Sequence, residues 1–306
     1  MFLILIKVGN RPIRNPKSAL IRPLLKWAGG KRQLLEPILS FIHAEFPEQI
    51  GTYYEPFAGG AAVFFALVGQ SKFERARLSD MNEDLIRVYR ALRDEADSVI
   101  RELEKLEERG HSEETYYEVR GAHPKKPSAR AARLIYLNRT GYNGLYRVNR
   151  SGGFNVPYGR YKKPRILDRA RLLAAATALQ GVELAVEDFE TSCANAKRGD
   201  FVYFDPPYMP VSKTASFAEY HSEAFALAEH ERLSKTFTRL TKKGVSVLLS
   251  NSDTPETRGL YAGFDTQTVL AKRAINSDAT RRGAVKELLV RGTVAEPAPK
   301  RARARK

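Results

Sequence analysis

The stretch Tyr53-Tyr54-Glu55-Pro56-Phe57-Ala58-Gly59-Gly60, followed by the apolar run Ala61 to Val68, reads as a strand, a tight glycine turn and a helix. That succession opens an α/β unit of the nucleotide-binding type. Upstream, Leu34, Leu35, Ile38, Leu39 and Ile42 recur at helical spacing between Lys31 and Phe46, so a helix with one buried face follows the pair Gly29-Gly30 and carries Pro37 in an early turn. Downstream, Leu78-Ser79-Asp80 reads as a second strand ending in an acid about 20 residues after the glycine turn. Asn82 then caps a helix running to Leu92. A charged helical stretch from Glu95 to Glu108 ends at Gly110, and helices continue through Tyr116 to Arg120 and Ala129 to Leu137. Asn138 to Pro164 is dense in Gly, Asn, Arg and Tyr and reads as a loop with a β-hairpin around Ser151-Gly152-Gly153. The alternation then resumes with helix Asp168 to Leu179, strands Val182 to Val186 and Phe201 to Phe204, helix Leu227 to Thr241 and strand Val245 to Leu249. Phe264 to Leu270 and Val285 to Val290 fit a final antiparallel pair.

The 306 residues carry 51 Lys and Arg against 35 Asp and Glu, a formal charge of +16. With 43% hydrophobic and 28% charged residues the chain can bury a sizeable core, which excludes disordered and fibrous classes. One cysteine, Cys193, excludes a disulfide framework, and no Cys/His cluster suggests a structural metal. Phe2 to Ile6 is far short of the ~20 apolar residues of a membrane span and lacks the marks of a signal peptide, so a soluble, cytoplasmic protein is expected. The positive charge is concentrated. Met1 to Lys26 and Pro297 to Lys306 hold basic groups and no acid, while Arg120 to Leu173 holds fourteen Lys and Arg against Asp168 alone. Basic tails are often merely solvated. A basic internal segment interleaved with Tyr142, Tyr146, Phe154, Tyr158 and Tyr161 is the mixture of cations and rings that a nucleic-acid groove requires.

Four pieces can carry chemistry: Lys26-Trp27-Ala28-Gly29-Gly30-Lys31, Phe57 to Gly60, Asp80, and Asp205-Pro206-Pro207-Tyr208. The first is no phosphate loop, because Arg32 stands where Ser or Thr would hold magnesium and the upstream glycine is missing. The glycine turn and the strand-end acid are shared by many nucleoside-binding folds. Asp205 to Tyr208 is more telling, although two prolines after a strand can also be a plain stop signal. The exocyclic amino group of a base is a poor nucleophile because its lone pair is delocalised into the ring. A carboxylate and a backbone carbonyl that each accept one of its N–H bonds hold the nitrogen closer to tetrahedral and aim it at an electrophile, while an aromatic ring stacks on the base. Asp205, the carbonyl of Pro206, whose φ the ring locks, and Tyr208 supply those parts.

From Leu25 to about Leu289 the chain closely resembles the Dam-type DNA adenine-N6 methyltransferases. The segments that carry the resemblance are LKWAGGK (Leu25 to Lys31), EPFAGGAAVFF (Glu55 to Phe65), LSDMNEDLI (Leu78 to Ile86), YLNRTGYNGLYRVNRSGGFNVPYGRYKKP (Tyr136 to Pro164), YFDPPY (Tyr203 to Tyr208) and VLLSNSDT (Val247 to Thr254). The resemblance implies a Rossmann-like α/β fold with a mostly parallel sheet and an inserted helical and β-hairpin target-recognition subdomain. Residues 24–94 and 164–294 then form the catalytic domain and 95–163 the recognition subdomain, between a basic arm at 1–23 and a basic tail at 295–306. The implied methyl donor is S-adenosylmethionine, with Trp27 and Lys31 near its methionine end, Phe57, Ala58 and Gly59 along the turn, Asp80 on the ribose, and Asp188 and Phe189 at the adenine. Asp205, Pro206, Pro207 and Tyr208 make the catalytic motif, with Asp205 serving cofactor and substrate alike.

The implied partner is double-stranded DNA, the implied target GATC, and no metal takes part. A base inside a duplex must swing out to reach a pocket at the end of a sheet. Tyr142 is the candidate to fill the gap. Arg147 would read a guanine, Leu145 and Pro157 thymine methyls, and Lys26 or Tyr161 the outer guanine. Lys162 and Lys163 would grip phosphates, and Arg139, Asn143, Asn155 and Arg273 complete the expected DNA contacts. A monomeric, nucleoid-associated enzyme marking DNA for mismatch repair and replication control is the leading expectation. A modification enzyme of a restriction system or a phage, an inactive DNA-binding module, and a methyltransferase for RNA or a protein amide are the alternatives. The intact Asp205 motif and the basic segment weigh against the last two.

Overall fold

The computed structural model describes residues 7–8, 11–12, 21–27, 31, 34–46, 48–210, 225–272 and 284–293. A two-residue antiparallel pair, β1 (Lys7–Val8) and β2 (Arg11–Pro12), stands apart from the main sheet. The main sheet contains β3 (Ile50–Glu55), β4 (Phe73–Ser79), β5 (Glu183–Ala185), β6 (Phe201–Phe204), β7 (Ser246–Ser252), β8 (Asp265–Lys272) and β9 (Ala284–Gly292), in the spatial order β5-β4-β3-β6-β7-β9-β8. The pairings among β3 to β7 are parallel, and β9 is antiparallel to both β7 and β8. The chain builds outward from β3 through β4 to β5, then returns to lay β6 on the other side of β3. That reversal is a topological switch point, and open α/β sheets bind ligands at the carboxyl ends of the strands flanking it. Here those ends are Glu55 and Phe204, which lead into the glycine turn and the Asp205 motif.

Alternation along the central strands explains the layering. Tyr53, Phe201, Tyr203 and Leu248 join one buried cluster with α1 (Leu35–Glu45), α2 (Ala62–Val68), α3 (Glu83–Glu108), α4 (Glu113–Gly121), α5 (Pro127–Thr140) and α6 (Arg169–Ala178). Tyr54, Val202, Phe204, Val247 and Leu249 point to the other face, against α7 (Phe189–Ser192) and α8 (Leu227–Lys242). α9 (Pro255–Leu260) follows β7. Each fully buried large side chain contributes roughly 1.5–3 kcal/mol, so two apolar faces per strand sandwich the sheet between helical layers.

The expected elements are present, but β4 begins at Phe73, before the expected Leu78, α4 begins at Glu113, before Tyr116, and β7 runs on to Ser252, past Leu249. α3 spans both predicted helices, with Glu95 leaving the helical region at φ −145°, ψ 44° where they meet. Leu103 of α3, Tyr116 and Val119 of α4 and Ile135 of α5 belong to the same cluster as the sheet residues, so the 95–163 segment shares the core of its neighbours. One correction concerns α5. It runs to Thr140, two residues past the expected start of the loop at Asn138, because Asn138 is buried and its amide is used internally. The expected hairpin closes with a single bridge, Val148 to Phe154, and not a ladder. Asn149 Oδ1 shapes its turn by accepting from the backbone N–H of Ser151 and Gly153, and Gly152 takes the positive φ of +79°. The short helices α7 and α9 were not expected.

Candidate active site

Asp205 follows β6 at the switch point. Its Oδ1 accepts from Lys31 Nζ at 2.7 Å and from Ser250 Oγ at 2.9 Å. Ser250 is placed there by the register of β6 against β7, which pairs Phe204 with Leu249. The Tyr203 hydroxyl lies 2.9 Å from Ser250 Oγ, which extends the network into the core. Both contacts described for the carboxylate fall on Oδ1, so Oδ2 is the oxygen left to accept a further donor. Burial raises the Asp205 pKa, and the Lys31 ammonium and the Ser250 hydroxyl oppose that rise.

The rest of the motif is held from two sides. Pro206 is buried and Pro207 exposed. The Tyr208 hydroxyl donates to Glu287 Oε2 of β9 at 3.0 Å, and its ring faces Lys31 Nζ, 4.4 Å from the centroid. Asn251 Oδ1 accepts the backbone N–H of Met209 at 2.8 Å and so pins the loop after the motif. Below this group, buried Glu55 accepts from the Tyr53 hydroxyl at 2.9 Å and from Phe64 N at 3.1 Å. Burial pushes its pKa up to about 8, with the charge of Asp205 adding to the rise against those two bonds and Lys31. Burial thus disfavours the charged form of Glu55, and Lys31 opposes that effect at both carboxylates. Sequence reading missed Glu55, Ser250, Asn251 and Glu287. An acid ending an apolar strand before a glycine turn was the available signal for Glu55.

The glycine turn lies beside this group. Gly59 adopts φ +45°, and a Cβ there would come 2.9 Å from Trp27 Cδ1, so the turn and the indole pack against each other where only glycine fits. Ala58 is buried, with its N–H on Ser79 O at 2.9 Å. Asp80 Oδ2 accepts from Gly59 N at 3.0 Å and Oδ1 from Asn82 N at 2.9 Å, tying the turn to the end of β4. Burial raises the Asp80 pKa against those two bonds. Phe57 stacks on Phe189 at 5.6 Å, and Phe225 meets Phe57 edge-on at 5.6 Å. Asp188 caps α7 through Thr191 N at 2.9 Å and pairs with Arg232 at 2.7 Å. Burial alone would raise its pKa, but these partners outweigh that and hold it below the usual value. The structure therefore groups Trp27, Lys31, Phe57, Ala58, Gly59, Asp80 and Asp205 on one edge, with Asp188 and Phe189 at the neighbouring strand end. Gly29 and Gly30 lie outside the described residues.

The basic segment flanks this edge. Lys26, Tyr142, Arg147, Asn155, Pro157 and Lys162 are exposed, and Asn143, Leu145 and Tyr161 half-buried. Tyr142 is 49% exposed on a single 3₁₀ turn, Tyr142–Gly144, in which Asn143 takes φ +52°. Arg147 donates from Nε and Nη2 to Asn155 O at 2.9 and 2.6 Å, which presents the two side by side across the small hairpin. Lys26 Nζ sits 4.7 Å from the Tyr161 ring centroid. Packing draws several of the expected contacts inward. Arg139 turns inward, with Nη2 on Leu24 O at 2.6 Å and Nε buried, because it continues the packed face of α5. Of the interleaved rings, Tyr146, Phe154 and Tyr158 pack against the core, and the Tyr158 hydroxyl donates to His111 O. Arg273, most of the basic arm and the basic tail lie outside the described residues. Among the described residues no helix is long and apolar enough to cross a membrane, and no group of three or more His, Cys, Asp or Glu is placed to hold a metal ion.

The chain is 41% identical over 284 residues to the "Type II methyltransferase M.MjaIII" of Methanocaldococcus jannaschii, covering 88% of this chain and 98% of that protein. It is 39% identical over 278 residues to the "Type II methyltransferase M1.LlaDCHI" of Lactococcus lactis subsp. cremoris, with coverage of 88% and 95%. It is 38% identical over 271 residues to the "DNA adenine methylase" of Escherichia coli K12, with coverage of 88% and 94%. Residues 27–275, which contain both the glycine turn and the Asp205 motif, match one family along their whole length, and the chain belongs to the D12 class N6 adenine-specific DNA methyltransferases.

Proposed function

We propose that the protein transfers the methyl group of S-adenosylmethionine to N6 of an adenine swung out of double-stranded DNA, with GATC as its target. The observation that carries this reading is the position of Asp205 and Pro206 at the switch point, after the strand that pairs with the one leading into the glycine turn. The residues fit the donor. Gly59 lets the turn pack against Trp27 where a Cβ would strike the indole, Asp80 is an acid fixed at the adjoining strand end, and Phe57 and Phe189 form a stacked apolar wall. When bound, the donor supplies an electrophilic sulfonium methyl.

The chain's own residues supply position. Asp205 Oδ2 and the carbonyl of Pro206 accept the two amino N–H bonds and hold the nitrogen lone pair away from the ring plane. Lys31 and Ser250 orient the carboxylate and favour its ionised form against burial. Tyr208, fixed by Glu287, offers a ring for the extruded base. The proton leaves the nitrogen after transfer, so no side chain has to act as a strong base. Extrusion costs a few kcal/mol of stacking, which exposed Tyr142 offsets by filling the gap. Arg147, held against Asn155, reads a guanine, with Leu145 and Pro157 against thymine methyls and Lys26 or Tyr161 at the outer guanine. Lys162 and Lys163 grip phosphates, and residues 95–163 act as the recognition part between catalytic parts 24–94 and 164–294. Arg139, which spends Nη2 on Leu24 O, keeps its place among the proposed DNA contacts.

DNA from cells expressing the chain tests this reading. GATC sites resistant to a methylation-blocked nuclease and cut by a methylation-dependent one support it, and unmodified DNA overturns it. Marking DNA for mismatch repair and replication control is the cellular role we favour. The similarity to two proteins named Type II methyltransferases supports a second role, protection from a companion endonuclease. Deleting the gene raises the mutation rate under the first role and leaves it unchanged under the second.

A further inference from the structure

Tyr146 precedes the candidate reader Arg147, yet its ring faces the catalytic part. It stacks on Trp27 with centroids 5.5 Å apart and an interplanar angle of 27°. Trp27 in turn occupies the space above Gly59, and the Gly59 carbonyl accepts from the Tyr89 hydroxyl at 2.6 Å. The Tyr146 hydroxyl donates to Asp84 Oδ2 at 2.9 Å, in the first turn of α3, whose cap Asn82 donates its N–H to Asp80. Phe154, across the hairpin bridge, meets Tyr146 edge-on at 5.8 Å. Both routes from this ring therefore end on the glycine turn or on the acid that holds it.

A second tether keeps the same segments in register. Asn138 Oδ1 accepts from Lys26 N at 2.9 Å, and its Nδ2 donates to Lys26 O at 2.7 Å and Gly144 O at 2.9 Å. Gly144, at φ +64°, has no room for a Cβ beside the Lys26 side chain. Residues 24–27 are thus clasped by the recognition loop on one side and pressed on the glycine turn on the other. A loop that closes on its target moves Tyr146 with Arg147, and Tyr146 can move only with Trp27 or by losing the stack.

We propose that Tyr146 is a positioning residue that couples engagement of the DNA target by the 141–159 loop to donor binding at the glycine turn, through its stack on Trp27 and its bond to Asp84. The inference rests on the function proposed above. Coupling is a free energy shared by two sites, so a duplex that engages the loop tightens donor binding by the same factor as the donor tightens the duplex. Without the ring on Trp27 each ligand still finds its own contacts, and the shared factor is lost.

Trp27 is the one tryptophan of the chain, which makes its emission a direct readout of this contact. The experiment measures the Kd of S-adenosylhomocysteine with and without a duplex carrying the sequence that the protein methylates. For the wild type, the duplex tightens binding by at least about fivefold and changes Trp27 emission. Tyr146→Leu brings the factor to within about twofold of unity and removes the duplex-induced emission change, while each ligand alone binds as before. Tyr146→Phe, which keeps the ring and loses the hydroxyl, and Asp84→Asn, which alters the acceptor, show equal partial losses that do not add in the double variant. Wild-type coupling in Tyr146→Leu, methylation by a wild type without coupling, or additive losses in the two conservative variants overturn the inference alone. Absence of methylation by the wild type overturns the function reading and the inference with it.

Discussion

Lys31 Nζ and Asp205 Oδ1 lie 2.7 Å apart, bringing a residue near the start of the matched region onto the acid that ends β6. The ion pair is largely buried, with 6% of the lysine side chain and 19% of the aspartate exposed. Lys31 opposes the rise in pKa that burial imposes on Asp205, and its charge favours the form of the carboxylate that accepts N–H bonds.

Lys31→Met therefore raises the Asp205 pKa further, and activity that needs the carboxylate is lost at a higher pH than in the wild type. The acid limb of the kcat/KM profile moves upward. An unmoved limb, or one displaced to lower pH, contradicts this role for Lys31.

Gly59→Ala places a methyl group 2.9 Å from Trp27 Cδ1 at φ +45°. The backbone strain alone costs about 1–2 kcal/mol, and the indole must shift. Calorimetry is expected to report a lower Tm, and Trp27 emission an altered environment with weaker donor binding. Donor affinity equal to wild type contradicts the placement of the turn in the donor site.

Arg147→Ala removes a guanidinium held over Asn155 O. Discrimination at one guanine of the target falls by about 1–3 kcal/mol, read as kcat/KM on duplexes substituted at single positions. Equal loss on all duplexes would make Arg147 a phosphate contact and not a reader.

His230 is buried beneath Phe225, with centroids 4.8 Å apart, and neither ring nitrogen has a hydrogen-bond partner among the described residues. Burial lowers its pKa from 6.5 to about 4. Between those values the unfolded chain binds the extra proton, so stability is full above pH 6.5 and declines as pH falls towards 4, by up to about 3 kcal/mol. Urea midpoints for wild type and His230→Leu, compared from pH 7 to pH 4, isolate this slope. Parallel pH profiles contradict it.

The glycine turn, Asp80 and the Asp205 motif were legible because each stands next to a recognisable strand, where neighbours in sequence remain neighbours in space. The partners that complete the site were not. Ser250 reaches Asp205 only through the β6–β7 register, Glu287 reaches Tyr208 only because β9 returns antiparallel beside β7, and Asn138 clasps Lys26 across 112 positions. Period-two patterning gives a strand its faces and leaves its neighbours unspecified. Arg139, a DNA contact implied by the resemblance, is half-buried because helical spacing from Ala132 through Ile135 and Tyr136 places its stem on the packed face of α5. The same tension between ring chemistry and packing hid the inward turn of Tyr146 and Tyr158.

The central claim is that Asp205 orients the nitrogen that receives the methyl group. Its most direct test is mass spectrometry of N6-methyladenine in a duplex after incubation with S-adenosylmethionine, for wild type and Asp205→Asn, with duplex binding measured in parallel. The account predicts methylated adenine from the wild type and at least about a hundredfold less from Asp205→Asn while the duplex still binds. Near-normal methylation by Asp205→Asn would contradict it.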